Sequence, residues 1–494
     1  MVLKVFNNYS GKKEKLELPE DRPVKIYLCG ITPYSNTHLG HARPSVFWDS
    51  VVKYLQYKGL DVHVVQNVTD VNEKVLTRAK LEGISEREVA ERYNREYEEV
   101  LEALDVTTID EYPWVSDHIA DIIDMVQSLI ESEHAYQVDG DVYFDVTSFE
   151  RYGHLSGQSL DELVAGARVE VDERKKHPAD FALWKEVKGD QPGWSSPWGT
   201  GRPGWHIECS VLALKFLGFG FDFHAGGTDL IFPHHENEVA QSEAYMDDSP
   251  FAKCWVHHGM ITGEDGKMSK SLGNFITVKD LLDDYRPEVV RHFLLSAHYS
   301  TPLKYSDDRL QKSKKAVERL ITSMTSLRQI LSQEPEDDVP LSESESETIF
   351  DKSVDLKNEF SRAMDDDLNT PQALAAVFAA VRGVNGVIND PDFVLSQPVK
   401  EALADFGDQI EICARILGIW PQEGISAEDD ARKIDQLIGD KDSELLELLI
   451  EVRKEARQQK LWPIADMIRD RLQDMDIYLE DTPQGTRVKT TPDQ

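Results

Sequence analysis

Cysteine is scarce in this chain. Cys29, Cys209, Cys254 and Cys413 are the only four in 494 residues, and no two form a C-x-x-C pair. A disulfide framework is therefore excluded as the source of stability. Isolated cysteines are mostly buried small hydrophobes, and Cys254 and Cys413 are read that way. Long apolar runs are missing as well: nothing approaches the ~18–20 uncharged apolar residues of a membrane span. The first eleven residues lack the apolar core and small-residue cleavage site of a secretion signal. A soluble, cytoplasmic protein with no membrane partner is expected. Basic charge is also short, with 54 Lys and Arg against 90 Asp and Glu, a net charge of −36. Nucleic-acid partners ordinarily call for a basic surface, so this balance weighs against one unless local patches supply it. Such acidity suits work in concentrated salt, where repulsion is screened within a few ångströms. Salt adaptation is expected, and a titration in which stability and activity both peak in dilute buffer would overturn it.

What the chain does have is enough apolar residue, 40%, for about three domains at this length. Val24–Cys29 reads as a short apolar strand ending in the turn-rich run Gly30–Gly40. Ala42–Lys58 has helical apolar spacing, Asp61–Val68 reads as a second strand, and Asn72–Ala103 as helix. Strand–helix–strand at this spacing predicts a doubly wound parallel sheet of Rossmann-like α/β type. Ligands of such sheets bind at the carboxyl ends of the strands, which is where Cys29 would lie. Residues 117–200 read as an insertion, with a helix, a hairpin turning at Asp-Gly, and a loop over Gly189–Gly204 rich in Gly, Pro, Ser and Trp. Strand patterns resume at Phe219–His224 and Lys253–His258. After Pro287 the pattern is helical, interrupted by polar linkers at Glu334–Glu347 and Pro421–Ala431.

Three constellations carry chemistry. His38-Leu39-Gly40-His41 follows a strand and opens a helix. A helix N-terminus attracts phosphate, the glycine permits close approach, and the histidines can donate to a phosphate gaining charge. Gly263–Asn274 (GEDGKMSKSLGN) sets Lys267 and Lys270 in a glycine-flanked loop, suited to neutralising a leaving pyrophosphate. Pro233–Glu238 (PHHENE) opens a helix on which His234 and Glu238, four apart, share a face. Together with Cys29 and Cys209 they match the ligands of tetrahedral Zn²⁺. Spacing alone leaves His235 an open alternative to His234.

The pair HLGH and KMSKS resembles the signature of class I aminoacyl-tRNA synthetases. The runs CGITPYSNTHLGHARP, NVTDVNEK, PADFALWK, SPWGTGRPGWHIECS, GGTDLIFPHHENEVAQSEA and GKMSKSLGN resemble the cysteinyl-tRNA synthetases among them. The resemblance implies activation of L-cysteine with ATP and its transfer to tRNA(Cys). It implies His38, His41, Lys267 and Lys270 as catalytic, and Gly40, Asp229 and Lys270 as ATP-binding. Thr69, Trp205 and His224 would line the cysteine pocket, though Trp205 and His224 suit a core equally well. One Zn²⁺ would sit on Cys29, Cys209, His234 and Glu238, and Mg²⁺ would accompany ATP. A zinc–thiolate bond would separate cysteine from serine without an editing domain, where apolar contacts separate near-isosteres by only roughly 10–200-fold.

The implied organisation is a catalytic domain over 1–116 and 201–260, an inserted domain over 117–200, and a KMSKS and stem-contact region over 261–320. A helical tRNA-binding bundle over 321–420 and a small anticodon-side domain over 421–494 complete it, in a monomer. Related enzymes that join cysteine to an amino sugar–inositol would share the core. FSRAMDDDLNTP (360–371) and 450–485, which resemble the tRNA-side domains, discriminate against them. Arg453, Lys454, Arg457, Lys460, Arg469 and Arg471 form a basic island there, able to meet RNA phosphates. The chain departs from the family at Asn72-Glu73-Lys74, where Asp-Asp-Lys is frequent. It departs again at Arg487-Val488, where a tryptophan often follows Gly-Thr.

Overall fold

The computed structural model describes residues 1–160, 173–189, 191–246, 249–263, 266–267, 276–336 and 343–421. Beyond these it describes 449, 451–453, 455–456, 462–473, 478–482 and 485–489. The chain divides into two compact units, Met1–Trp420 and Pro421–Gln494.

The first unit begins with an antiparallel hairpin, β1 (Val2–Asn7) and β2 (Lys12–Glu17). β3 (Val24–Leu28), α1 (Leu39–Tyr57), β4 (Val62–Gln66), α2 (Glu73–Glu82) and α3 (Glu86–Ala103) follow. The long helix expected over 72–103 is two helices. Gly83 ends the first in the left-handed region at φ 69°, and Ser85 starts the second through a capping box with Glu88.

The insertion holds α4 (Ile119–Glu131), β5 (Ala135–Val138), β6 (Asp141–Phe144), β7 (Phe181–Glu186), β8 (Trp194–Ser196) and β9 (Gly199–Pro203). These strands form a five-stranded sheet in the order β5-β6-β7-β9-β8. The run 189–204, expected to be loop, thus contributes two strands. Its glycines serve close approach rather than turning. A Cβ on Gly201 would lie 2.5 Å from the Lys185 carbonyl oxygen, and one on Gly204 1.9 Å from that of Ala182.

The chain then returns through α5 (Trp205–Leu217), β10 (Phe221–Gly227), α6 (Glu236–Tyr245) and β11 (Ala252–His258). The central sheet has the order β11-β10-β3-β4, and every neighbour is parallel. β10 is buried on both faces over residues 221–226, as a central strand between helical layers must be. Tyr27, Val65, Phe221 and Trp255 of this sheet share one apolar core with Ile122 and Leu129 of α4, Phe144 and Phe181 of the inserted sheet, and Leu212 of α5. The insertion is therefore welded to the parallel sheet.

β12 (Ile261–Gly263), β13 (Gly266–Lys267), α7 (Val278–Asp284), α8 (Pro287–Leu295) and β14 (Leu303–Lys304) come next. Four long helices close the unit: α9 (Asp307–Leu331), α10 (Glu343–Asp365), α11 (Thr370–Ile388) and α12 (Gln397–Ile416). Among the described helices, α11 is the one long and apolar enough to cross a membrane. Ala373, Val377, Val381 and Val384 are buried inside this protein, as in a core helix. Cys254 and Cys413 are buried free thiols.

In the second unit, α13 (Trp462–Gln473) precedes the hairpin β15 (Tyr478–Thr482) and β16 (Gly485–Lys489). Half of the basic island lies among the described residues. Arg453 is buried, while Arg469 and Arg471 are exposed; Lys454, Arg457 and Lys460 lie outside the described residues.

Candidate active site and metal centre

Strand register decides which side chains meet. Parallel pairing places His224 beside Tyr27 of β3 and Trp255 of β11. Cys29, the first residue past β3, donates its N–H to the Ala225 carbonyl (2.9 Å) and so leaves the sheet level with β10's end. Gly30 must be glycine, since a Cβ there would sit 1.6 Å from the Asn67 carbonyl oxygen. After β10 a single irregular turn, Ile231–His235, brings His234 and His235 to the start of α6. Gly226 makes room for the second of them: a Cβ there would lie 2.6 Å from His235 Cε1.

Ligand-type atoms of Cys29, Cys209, His234 and Glu238 all lie within 4.8 Å of one another. Those of Cys29, His224, His235 and Glu238 do the same, so two overlapping sets share a thiol and a carboxylate. His234 Nε2 is 2.9 Å from Glu238 Oε1, and His224 Nε2 is 3.4 Å from Glu238 Oε2. His235 Nε2 is 3.1 Å from Cys29 Sγ, and its Nδ1 is 2.7 Å from His257 Nε2.

The electrostatics favour a cation. Glu238 is fully buried, burial holds its carboxyl well above the ordinary range, and its Oε2 has no hydrogen bond. Burial keeps His224 and His235 neutral, as ligands or acceptors must be. The Cys209 thiol is pulled down to about 7 by a hydrogen bond from Cys29, whose own thiol burial pushes up. An imidazole, a thiol of lowered pKa, a second thiol and a buried carboxylate with one unsatisfied oxygen fit a borderline-soft divalent ion.

Both sets are buried except at Cys29, which is half-buried and common to the two, and they differ in what lies beside them. His234 stacks under Trp205, with ring centroids 4.4 Å apart, and Trp205 is 42% exposed. Exposure removes the core reading of Trp205. His224 and His235, by contrast, are wholly enclosed. Thr69 enters through Asn67: Asn67 Nδ2 donates to Thr69 Oγ1 (2.9 Å), while its Oδ1 accepts from Gly30 N (2.8 Å) and faces Cys209 Sγ (3.8 Å). Cys29, Cys209, His234, Glu238, Thr69, Trp205 and His224 therefore form one neighbourhood.

The two signature elements also follow strands of this sheet, HLGH after β3 and the β12–β13 hairpin after β11. His38 is the N-cap of α1 and its ring stacks on His41, centroids 3.6 Å apart. Gly40 permits this, because a Cβ there would meet the His38 ring at 2.9 Å. Asp229 lies exposed just beyond β10. Lys267 pairs with Thr262 in the β12–β13 hairpin, and Lys270 lies outside the described residues.

Sequence reasoning missed Asn67 and His257, and two residues behind the signatures, Arg43 and Glu96. His257-His258 at a strand's end was a usable signal. Glu96, one carboxylate among many on α3, gave none.

Residues 15–315 match the profile of the class I (C) tRNA synthetase catalytic domain, and 359–421 match the DALR domain. Among solved structures, a putative arginyl-tRNA synthetase from Campylobacter jejuni superposes with a TM-score of 0.59. It has 14% identity over 83% of this chain and 95% of that one. Mycobacterium tuberculosis methionyl-tRNA synthetase in complex with methionyl-adenylate gives 0.58 with 15% identity, over 81% and 90%. The fold is that of a class I aminoacyl-tRNA synthetase. Curated relatives named cysteine–tRNA ligase from Desulforamulus reducens and Pelotomaculum thermopropionicum are 45% and 46% identical to it, over 99% of both chains in each pair. The chain belongs to the cysteine–tRNA ligase family.

Proposed function

We propose that this protein activates L-cysteine with ATP and transfers it to tRNA(Cys), in the cytoplasm and as a monomer. The cysteine carboxylate attacks the α-phosphorus of ATP, pyrophosphate leaves, and the 3′-terminal ribose of the tRNA then displaces AMP from cysteinyl-adenylate. The observation that carries the reading is a two-thiol donor cluster beside the exposed Trp205 ring, past the carboxyl end of a strand of a parallel sheet.

Cys29, Cys209, His234 and Glu238 would hold Zn²⁺, which when bound supplies a centre that takes a thiolate in preference to an alcohol. Trp205, Thr69 and His224 shape the cysteine pocket. Gly40 and the α1 N-terminus receive phosphate, with His38 and His41 donating to it. Asp229 takes the ribose hydroxyls. Lys267 and Lys270 offset charge on the departing pyrophosphate, with Mg²⁺ accompanying ATP. Positioning and charge stabilisation suffice for such phosphoryl chemistry, so no general base is assigned. Residues 321–420 and 421–494 are assigned to the tRNA.

The test is cysteine-dependent exchange of pyrophosphate into ATP, together with charging of total tRNA. Both should occur. Exchange without charging would move the acceptor from tRNA to a small amine, and absence of both would sink the proposal.

A further inference from the structure

Arg43 lies two residues past His41, is buried, and has no carboxylate partner among the described residues. A buried charge without a counter-charge is costly, and burial alone brings its guanidinium down to about 10. Its partners are two main-chain carbonyls: Nη1 donates to that of Gly259, and Nη2 to that of His298 (3.0 Å).

Gly259 is the foot of the β12–β13 hairpin that carries Lys267. The same foot is tied on its far side, since Gly259 N donates to the Tyr299 carbonyl (2.8 Å) and Leu303 N to that of Met260 (3.0 Å). No side chain fits at Gly259, where a Cβ would come within 2.3 Å of the Thr301 carbonyl carbon. Five residues along α1 from Arg43, Trp48 Nε1 donates to His258 Nε2 (3.0 Å).

The chain returns to the same helix after the signature. Val278 N donates to the Thr37 carbonyl (2.9 Å), and His38 bridges Thr277. Thr37 is fixed in turn by Glu96 of α3, whose Oε2 accepts from its N–H (2.9 Å) and its hydroxyl (2.6 Å). Both ends of the segment 259–278 are therefore fastened to the residues that carry HLGH: one by Arg43, the other by Thr37.

We infer that Arg43 and Thr37 are positioning residues that hold the Lys267 hairpin in register with His38 and His41, so that the two phosphate-handling elements address one triphosphate. The inference rests on the functional reading above. Neither residue touches the metal cluster's four donors, which gives the inference its own signature. A loosened hairpin misplaces charge at the leaving group and lowers the rate of activation, while zinc content and cysteine affinity stay as they are. Misplacement on the scale of an ångström costs up to about 100-fold in rate. Lysine at position 43 keeps the charge but offers a single point donor in place of the fork, so it cannot hold both carbonyls in the same geometry.

The test measures pyrophosphate exchange, zinc content and thermal midpoint for the wild type, Arg43→Lys and Thr37→Val. The expected result for Arg43→Lys is a fall in kcat of about 10–100-fold with KM for cysteine within about twofold and unchanged zinc. Thr37→Val, which removes one hydroxyl and keeps the Val278 link, should lower kcat by about 3–10-fold in the same pattern. If Arg43→Lys does not fold, Thr37→Val decides. Wild-type kcat in every variant that folds, or a loss tracking zinc content or cysteine KM instead of kcat, would overturn the inference alone. No exchange in the wild type would overturn the functional reading and this inference with it.

Discussion

Cys209→Ala is expected to empty the metal site and to reduce cysteine-dependent pyrophosphate exchange by about 10²–10³-fold, the scale of losing one group that stabilises the reacting complex. Cys209 supplies the more readily ionised of the two thiols in the cluster, drawn down to about 7 by its Cys29 hydrogen bond. Its loss leaves Cys29, His234 and Glu238, one donor short of a closed protein set. Selectivity should fall with the metal. Whatever preference for cysteine over serine survives should lie in the roughly 10–200-fold range that shape and apolar contact supply. Cys254→Ala is the matched control, since that buried thiol belongs to neither donor set. Metal analysis of dialysed protein reads the first effect, and exchange assays with cysteine and serine read the second. The experiment also separates the two overlapping sets. If Cys209→Ala keeps its metal while His235→Ala loses it, the ion sits on Cys29, His224, His235 and Glu238, and the assignment to the Trp205 side is wrong.

The chemistry of this site was legible in the sequence to different depths. HLGH and KMSKS could be read as phosphate elements only as a pair, since HLGH alone suits two loop histidines and KMSKS alone a solvated Lys/Ser loop. The parallel sheet was legible because 24–28 and 62–66 are short apolar runs flanking a helix-spaced segment. Gathering Cys29 and Cys209 was different. They are 180 residues apart in sequence; ligand type and the family resemblance could group them, but what brings them together is the packing of α5 directly against β3, past whose end Cys29 lies. Trp205 illustrates the limit of residue type: tryptophan at a helix start suits a core as well as a pocket, and only its exposure over His234 separates the two. Glycine misled at 189–204, where Gly201 and Gly204 serve strand contacts that leave no room for a Cβ. Arg43 was invisible for a further reason. An arginine on a helix reads as a surface charge until the structure shows it enclosed against two carbonyls.

Arg291→Met is expected to destabilise the first unit by about 3–5 kcal/mol, the cost of removing one partner from an enclosed ion pair. Arg291 sits on α8 with no exposed surface, and its Nη2 meets Asp49 Oδ2 of α1 at 2.7 Å, a carboxylate equally enclosed. Its other nitrogens serve distant parts of the chain. Nη1 donates to the carbonyls of Leu104 (2.9 Å) and Asp105 (3.1 Å) at the end of α3, and Nε to that of Leu417 (3.2 Å) past α12. One guanidinium thus joins α1 and the end of α3 to the end of the helical bundle. Gly418 is shaped around it: the backbone is left-handed there, φ 61°, and a Cβ would fall 2.1 Å from Arg291 Nε. Methionine fills comparable volume without donors, so three carbonyls lose a partner and Asp49 keeps only Lys53, at 3.0 Å, as a cation. Asp49→Asn should cost less, because Thr107 N and the Thr108 hydroxyl donate to Oδ1 and an amide oxygen can still accept from them. The double variant should be more stable than the sum of the single losses predicts, since the uncompensated charge is then gone. Denaturant titrations of the four proteins, followed by the fluorescence of tryptophans in the first unit, read these differences. Strict additivity would mean that Arg291 acts through its carbonyl contacts alone and that its charge pairing with Asp49 contributes nothing.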